Sequence, residues 1–347
     1  MPTLITRGAM SATGYGYGYN IPTYVQNVFS TYLYTGTSAT LTITNNIGLS
    51  TKGGLVWIKQ RSGGQNHTIF DTNRGVNNYL RSNSTGAQNP GGTYTDLLTA
   101  FNTTGFTLGA DALTAGFVNA SGTTYVSWSF RKQPKFFDIV TYTGSGANRT
   151  ISHNLGSTPG CIIIKRTDTT AAWAVYHRSL ANTQYLVLNT TAIAATGATY
   201  WNSTTPTSSV FSLGTSTDVN ALNGTYVAYI FAHDSGGFGT TGTDNIISCG
   251  TFITDFSGIA TITLGYQPQW LLIKAIDGTT RNWVMLDTVR GIPTGVGDKS
   301  LASNLSSAEV TSAANLVDVN STGFTTGANG LTTTQQNFIY IAIRSNQ

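Results

Sequence analysis

Charge is what this chain has least of. Only 9% of its 347 residues are Asp, Glu, Lys or Arg, against roughly a quarter in an average globular protein. A single glutamate, Glu309, is present, and the net charge is +4. No Lys/Arg run exceeds two residues and no basic stripe interleaves with aromatics, which argues against nucleic-acid binding. There is no apolar run of transmembrane length and no signal-peptide core in the first residues, so no membrane insertion is expected and synthesis in a cytoplasm is. The two cysteines, Cys161 and Cys249, stand at unlike places in the repeats described below; both are expected to be buried free thiols.

In place of charge stand Gly, Thr, Ser and Asn, with 17 Tyr, 15 Phe and 6 Trp. At 40% hydrophobic content there is enough apolar surface to offset the entropy of ordering the chain. Neutral polar residues mixed with β-branched and aromatic ones suit short strands joined by tight turns. The fold class expected is all-β.

Internal repetition is the strongest signal. A strand ending in lysine occurs as Leu55-Val56-Trp57-Ile58-Lys59, Cys161-Ile162-Ile163-Ile164-Lys165 and Trp270-Leu271-Leu272-Ile273-Lys274. Phe70-Asp71-Thr72-Asn73-Arg74-Gly75 returns as Leu286-Asp287-Thr288-Val289-Arg290-Gly291, with Tyr176-His177-Arg178 as a degenerate middle copy. Asn78-Tyr79-Leu80, Gln184-Tyr185-Leu186 and Lys299-Ser300-Leu301 follow. Thr104-Gly105-Phe106-Thr107-Leu108-Gly109 then matches Ser209-Val210-Phe211-Ser212-Leu213-Gly214 and Thr322-Gly323-Phe324-Thr325-Thr326-Gly327. Each copy closes on a strand, from Tyr125, Tyr226 and Phe338. About 100 residues with seven or eight short strands fit two packed antiparallel sheets, a sandwich or jelly roll.

The expected organisation is a Gly/Tyr-rich leader over 1–27, serving as an attachment arm, then repeats over 28–135, 136–243 and 244–347. The joint at 131–135 is short and predicts stiff stacking; the Gly-rich joint at 234–243 predicts easier bending. Tyr125 to Phe130 alternates large and small side chains, the pattern of a strand with one face on a core. One short helix is expected near 306–316.

The search for chemistry returns little. There is no nucleophile elbow, P-loop or metal-ligand pair. Gly237-Phe238-Gly239-Thr240-Thr241-Gly242 matches a dinucleotide pattern but lacks a strand–turn–helix context. Glycoside hydrolysis needs two facing carboxylates, and the aspartates that recur, Asp71 and Asp287, each travel with an arginine three residues on, Arg74 and Arg290. That spacing reads as a structural ion pair or turn brace. A Ca²⁺ site at Asp71, Asn77 and Asn78 is disfavoured by the adjacent arginine. No catalytic residue, metal or cofactor is therefore expected. Trp57, Trp128, Trp173, Trp270 and Trp283 read as core, whereas Tyr200-Trp201-Asn202 lies in a polar loop and is the candidate exposed carbohydrate contact.

The quoted segments, Gly54 to Lys59, Phe70 to Gly75, Thr104 to Gly109 and Tyr125 to Phe130, resemble the concanavalin-A-like repeat domains of structural proteins from tailed phages of aquatic bacteria. The leader segment Leu4-Ile5-Thr6-Arg7-Gly8-Ala9 is similar to the start of such tail and fibre proteins. The resemblance implies a lectin-like sandwich in a virion protein, commonly a tail fibre or receptor-binding protein contacting host-surface polysaccharide. It supplies no catalytic residues. A capsid or tail decorating protein is the alternative, and a polysaccharide depolymerase the third reading. By analogy with fibres, a homo-oligomer, taken as a trimer, is expected, joined through the leader to other virion proteins.

Overall fold

The three lysine-ended strands are apolar at consecutive positions because each is buried on both faces. The computed structural model describes residues 22–89, 94–114 and 116–346, and the chain is all-β with antiparallel sheets. The first repeat contributes β1 (Phe29–Thr35), β2 (Leu41–Thr44), β3 (Gly54–Gln60), β4 (Thr68–Asp71), β5 (Leu98–Asn102), β6 (Gly105–Leu108) and β7 (Thr124–Arg131). The second contributes β8 (Phe137–Thr143), β9 (Arg149–Ser152), β10 (Cys161–Arg166), β11 (Trp173–His177), β12 (Gln184–Val187), β13 (Ala195–Thr196), β14 (Val210–Leu213) and β15 (Thr225–Phe231). The third contributes β16 (Ile247–Ile253), β17 (Thr261–Thr263), β18 (Pro268–Ala275), β19 (Val284–Asp287), β20 (Lys299–Ala302), β21 (Val310–Thr311), β22 (Val317–Asn320), β23 (Gly323–Thr326) and β24 (Asn337–Arg344).

Each repeat builds one large and one small sheet. The large sheets run β1-β7-β3-β4, β8-β15-β10-β11-β12-β13 and β16-β24-β18-β19-β20-β21. In each the first and last strands of the repeat pair, and the lysine-ended strand lies beside the last. The small sheets are β2-β6-β5, β9-β14 and β17-β23-β22. The glycine that ends the last landmark of each repeat has a steric reason. A Cβ on Gly109, Gly214 or Gly327 would stand 2.3, 2.2 or 2.3 Å from a backbone carbonyl oxygen, that of Asp96, Thr199 or Asn315.

The period of two along β3 divides its side chains between two cores. Val56 and Ile58 pack with Phe70, Ile43 and Phe106 between the large and small sheets. Leu55 and Trp57 point the other way, into a cluster that also holds Ile163 and Val175 of the second repeat and Leu272 and Met285 of the third. The third repeat repeats the division, with Leu271, Ile273 and Leu286 packed on Ile262 and Phe324. Aromatic rings tie the shared core together. Phe130 lies 4.9 Å from Phe29, 5.7 Å from Phe231 and 5.7 Å from Trp270, so one ring touches all three repeats.

Three expectations change. The strand from Tyr125 to Phe130 buries both faces, not one: Val126, Trp128 and Phe130 enter the shared core while Tyr125 packs under the small sheet. The Gly-rich joint is pinned. Phe238 is buried in the shared core, Gly239 N–H donates to Thr23 O at 3.0 Å, and Gly237 N–H to Gly242 O at 2.8 Å. No helix forms at 306–316: Val310–Thr311 pairs with β20, and Glu309 N–H is drawn into a bond with the first repeat, which an isolated short helix cannot match. Of the leader, residues 1–21 lie outside the described residues; Val25 is buried in the shared core.

Candidate functional site

The joints between repeats hold a large share of the buried polar chemistry, and their bonds form a closed cycle. Opposite each core lysine, at the mouth of the neighbouring strand, stands His67, Trp173 or Trp283. The backbone N–H of each donates to the same brace, the Oδ1 of Asn83, Asn189 or Asn304, at 3.1, 2.9 and 2.9 Å. The ring then reaches into another repeat. His67 Nε2 meets Ala302 O at 3.0 Å, Trp173 Nε1 donates to Arg81 O at 3.0 Å, and Trp283 Nε1 donates to Val187 O at 3.0 Å. These three carbonyls each lie two residues before the bracing asparagine. First binds third, second binds first, third binds second.

Backbone bonds repeat the cycle five residues beyond each asparagine. Gln88 N–H donates to Thr167 O, Ala194 N–H to Ile276 O, and Glu309 N–H to Arg61 O, at 2.9, 3.0 and 2.8 Å. The lysines finish the ends of the core. Lys165 Nζ donates to Thr85 O of the first repeat and Lys274 Nζ to Thr191 O of the second. Lys59 instead donates to Gln60 O and Gly63 O, within its own repeat. There the crossing link is the two-pronged bond from Arg61 to Glu309, at 2.9 and 2.7 Å. Burial pulls all three lysines down to about 8.

The Asp–Arg turns occupy the opposite end of the same strands. Arg74 Nε bonds Asp71 and Arg290 Nε bonds Asp287, both pairs almost wholly buried. Each carboxylate also accepts from a neighbouring repeat: Asp71 from Tyr229 Oη at 2.7 Å, Asp287 from Trp128 Nε1 at 3.1 Å. The middle copy, His177, uses a different bond. Its Nε2 meets Tyr340 O at 3.2 Å, its Nδ1 accepts from Ser179 N–H, and burial lowers its pKa to about 3.

The loop candidate is located differently from what the sequence implies. Trp201 is 1% exposed, with Nε1 donating to Gln184 O at 3.0 Å. Tyr200 stacks on Tyr185 at 3.7 Å and donates to Asp218 at 2.7 Å, so burial and that carboxylate push its pKa up. Asn202, at φ 51°, bonds Asn148. The segment forms a one-turn helix, Ala198–Trp201, whose indole faces inward; polar neighbours in sequence hid this. Trp201 is thus not an exposed aromatic contact. Cys161 and Cys249 are both buried and unpaired. Among the described residues no group of three or more His, Cys, Asp or Glu converges, and no helix is long and apolar enough to cross a membrane.

Two junctions leave clefts along the edge strands of the large sheets. One, about 360 Å³, runs along Thr141–Thr143 of β8 and is closed by Asn73 and Arg74 of the first repeat. The other, about 470 Å³, runs along β1 and is closed by Gln269 and Val289 of the third repeat. At the third junction the joint between repeats covers β16: Asp234 N–H donates to Ile247 O, and Ser248 Oγ bonds the Asp234 carboxylate. The bracing asparagines and the clefts escaped sequence reading. The asparagines carry a signal, a fixed offset from Leu80, Leu186 and Leu301, that repeat alignment can find.

The molecule is thus an all-β protein whose antiparallel sheets, large and small, pack around one shared core. The chain belongs to the family described as Domain of unknown function (DUF7483), whose model matches residues 25–346 and so runs through all three repeats. No curated protein matches the chain.

Proposed function

We propose that this chain is a virion protein of a tailed bacteriophage, a tail-fibre or receptor-binding component whose three concanavalin-A-like, jelly-roll repeats contact host-surface glycans. The observation that carries the reading is a charge-poor body with polar recesses at its inter-repeat junctions. Such a body offers hydroxyl and amide hydrogen bonding without the strong field that attracts nucleic acid. The role is binding, not catalysis: the lone glutamate, which a hydrolase would need beside a second carboxylate, is held by Arg61 and Arg290. The leader joins the chain to other virion proteins, and the assembly is a homo-oligomer, taken as a trimer. The three large sheets already bury their inner faces within one chain, so copies meet through other surfaces.

A decorating protein of capsid or tail is the second reading. It is favoured by Phe256, 80% exposed between Ile253 and Ile259, which are also exposed, since such a cluster suits cover by a neighbouring subunit. Immunogold electron microscopy of the phage with antibody to the third repeat separates the two. Gold on distal tail fibres supports host recognition. Gold over the head or confined to a collar rejects it in favour of decoration. Release of reducing sugar from capsular polysaccharide by the purified chain would overturn the non-enzymatic reading.

A further inference from the structure

We infer that the cleft between the first and third repeats is a binding site for a neutral saccharide. It deepens the glycan-contacting reading above and rests on it for the source of the sugar. The cleft opens between two edges, β1 of the large sheet and β2 of the small one, and the third repeat forms its far wall. Its volume of about 470 Å³ lies within the range of small-ligand sites.

The lining carries no charged side chain. It presents the amides of Gln26, Asn27, Asn45, Asn46, Gln269 and Asn346, with hydroxyls from Ser30, Thr31 and Thr44 and the half-buried ring of Tyr32. Some of these groups are fixed scaffold. Asn45 Nδ2 donates to Ser129 Oγ and its Oδ1 accepts from Ile47 N–H, while Gln269 Nε2 donates to Arg344 O. Others have unmet hydrogen-bonding capacity. Gln26 Oε1 and Thr31 Oγ1 are buried atoms without a partner, and a buried acceptor left unmet costs about 1–3 kcal/mol. The Gln26 amide oxygen can be met only by an O–H or N–H donor, whereas the Thr31 hydroxyl can give or take a hydrogen.

A polyhydroxylated, uncharged ligand fits this lining. An anion finds no cation there and a cation finds no carboxylate, so desolvating either would go uncompensated. The related cleft along β8 differs on this point, because Arg74 forms part of its wall. At the third junction the chain itself covers the edge strand, and the recess beside Thr191 has Arg281 in its wall. Of the three junctions, the one between the first and third repeats alone combines an open recess with a wholly neutral polar lining.

The test is saturation-transfer NMR and calorimetric titration of the full chain with two probe sets: neutral oligosaccharides of hexose and N-acetylhexosamine, and uronate-containing acidic ones. Neutral probes are expected to bind. Thr44→Trp, at an exposed position that fills the cleft, and Gln26→Leu, which removes the unmet acceptor, are each expected to weaken binding by roughly tenfold or more. Thr141→Trp, in the β8 cleft, is expected to leave it unchanged, and thermal melts confirm that each variant folds. Undiminished binding in both cleft variants overturns the site while the glycan reading stands. Preference for the acidic probes overturns the neutral specificity. Failure of the wild-type chain to bind any saccharide overturns the inference, and the gold-labelling result is independent of it.

Discussion

Repeats one and three place an aspartate at the junction turn where repeat two places a histidine, and the reason lies in the neighbour rather than in the turn. Asp71 and Asp287 receive a hydrogen from Tyr229 and Trp128, which occupy matching positions on the last strand of an adjacent repeat. The matching position facing His177 is Ile341, which has no donor; what is offered there is the Tyr340 carbonyl. A carboxylate would meet an acceptor. A neutral imidazole supplies the N–H instead. The middle copy is thus a different solution to the same burial problem, with no buried charge pair to desolvate.

Substitutions can break that comparison. The largest effect is expected from Asp287→Ala, which leaves the wholly buried Arg290 guanidinium with only the 3.5 Å contact to Glu309. A loss of about 3–5 kcal/mol in urea unfolding is expected, and it should destabilise all three repeats in one transition because they share a core. A separate early transition confined to the third repeat would contradict that coupling.

Acid tests the histidine side. Burial holds His67 and His177 neutral down to about pH 3, whereas in the unfolded chain they protonate below about 6.5. Between those values the unfolded state binds more protons, so stability falls as pH falls, by up to about 1.4 kcal/mol per unit for each histidine. Denaturation midpoints across pH 7 to 4 read the slope directly, and His177→Gln should reduce it by up to about 1.4 kcal/mol per unit, the share of one histidine. An unchanged slope in that variant would remove His177 from the account.

Making the middle copy resemble the others should harm it. His177→Asp sets a carboxylate against the Tyr340 carbonyl, and a loss of about 2–3 kcal/mol at pH 7 is expected. A variant as stable as the parent would show that the neighbour does not select the residue. The smallest effect belongs to Tyr229→Phe, which removes one hydroxyl from Asp71 but leaves Arg74 in place. About 1–2 kcal/mol is expected from the same unfolding measurement.

Much of the strand order was legible because repetition marks equivalent positions and a period of two marks a strand. The buried Trp57, Trp128, Trp173, Trp270 and Trp283 follow from their places in or beside strands. Trp201 did not, because a one-turn helix reverses which way its indole faces, and polar neighbours such as Asn202 and Ser203 suggested exposure. The flexible joint was misread for a similar reason. Gly236, Gly237 and Gly239 adopt positive φ to fold the joint back onto the body, so glycine here serves shape rather than mobility.

By itself the sequence determined the all-β class, the threefold repetition and the consecutive apolar positions of β3, β10 and β18, since these are local patterns of side-chain size and polarity. Tertiary structure alone decided that the repeats close on one another, that His67, Trp173 and Trp283 reach across the joints, and that one junction stays open as a neutral cleft. These depend on which carbonyl or donor a different repeat, some hundred residues away, presents at the same point in space, and no local pattern carries that information.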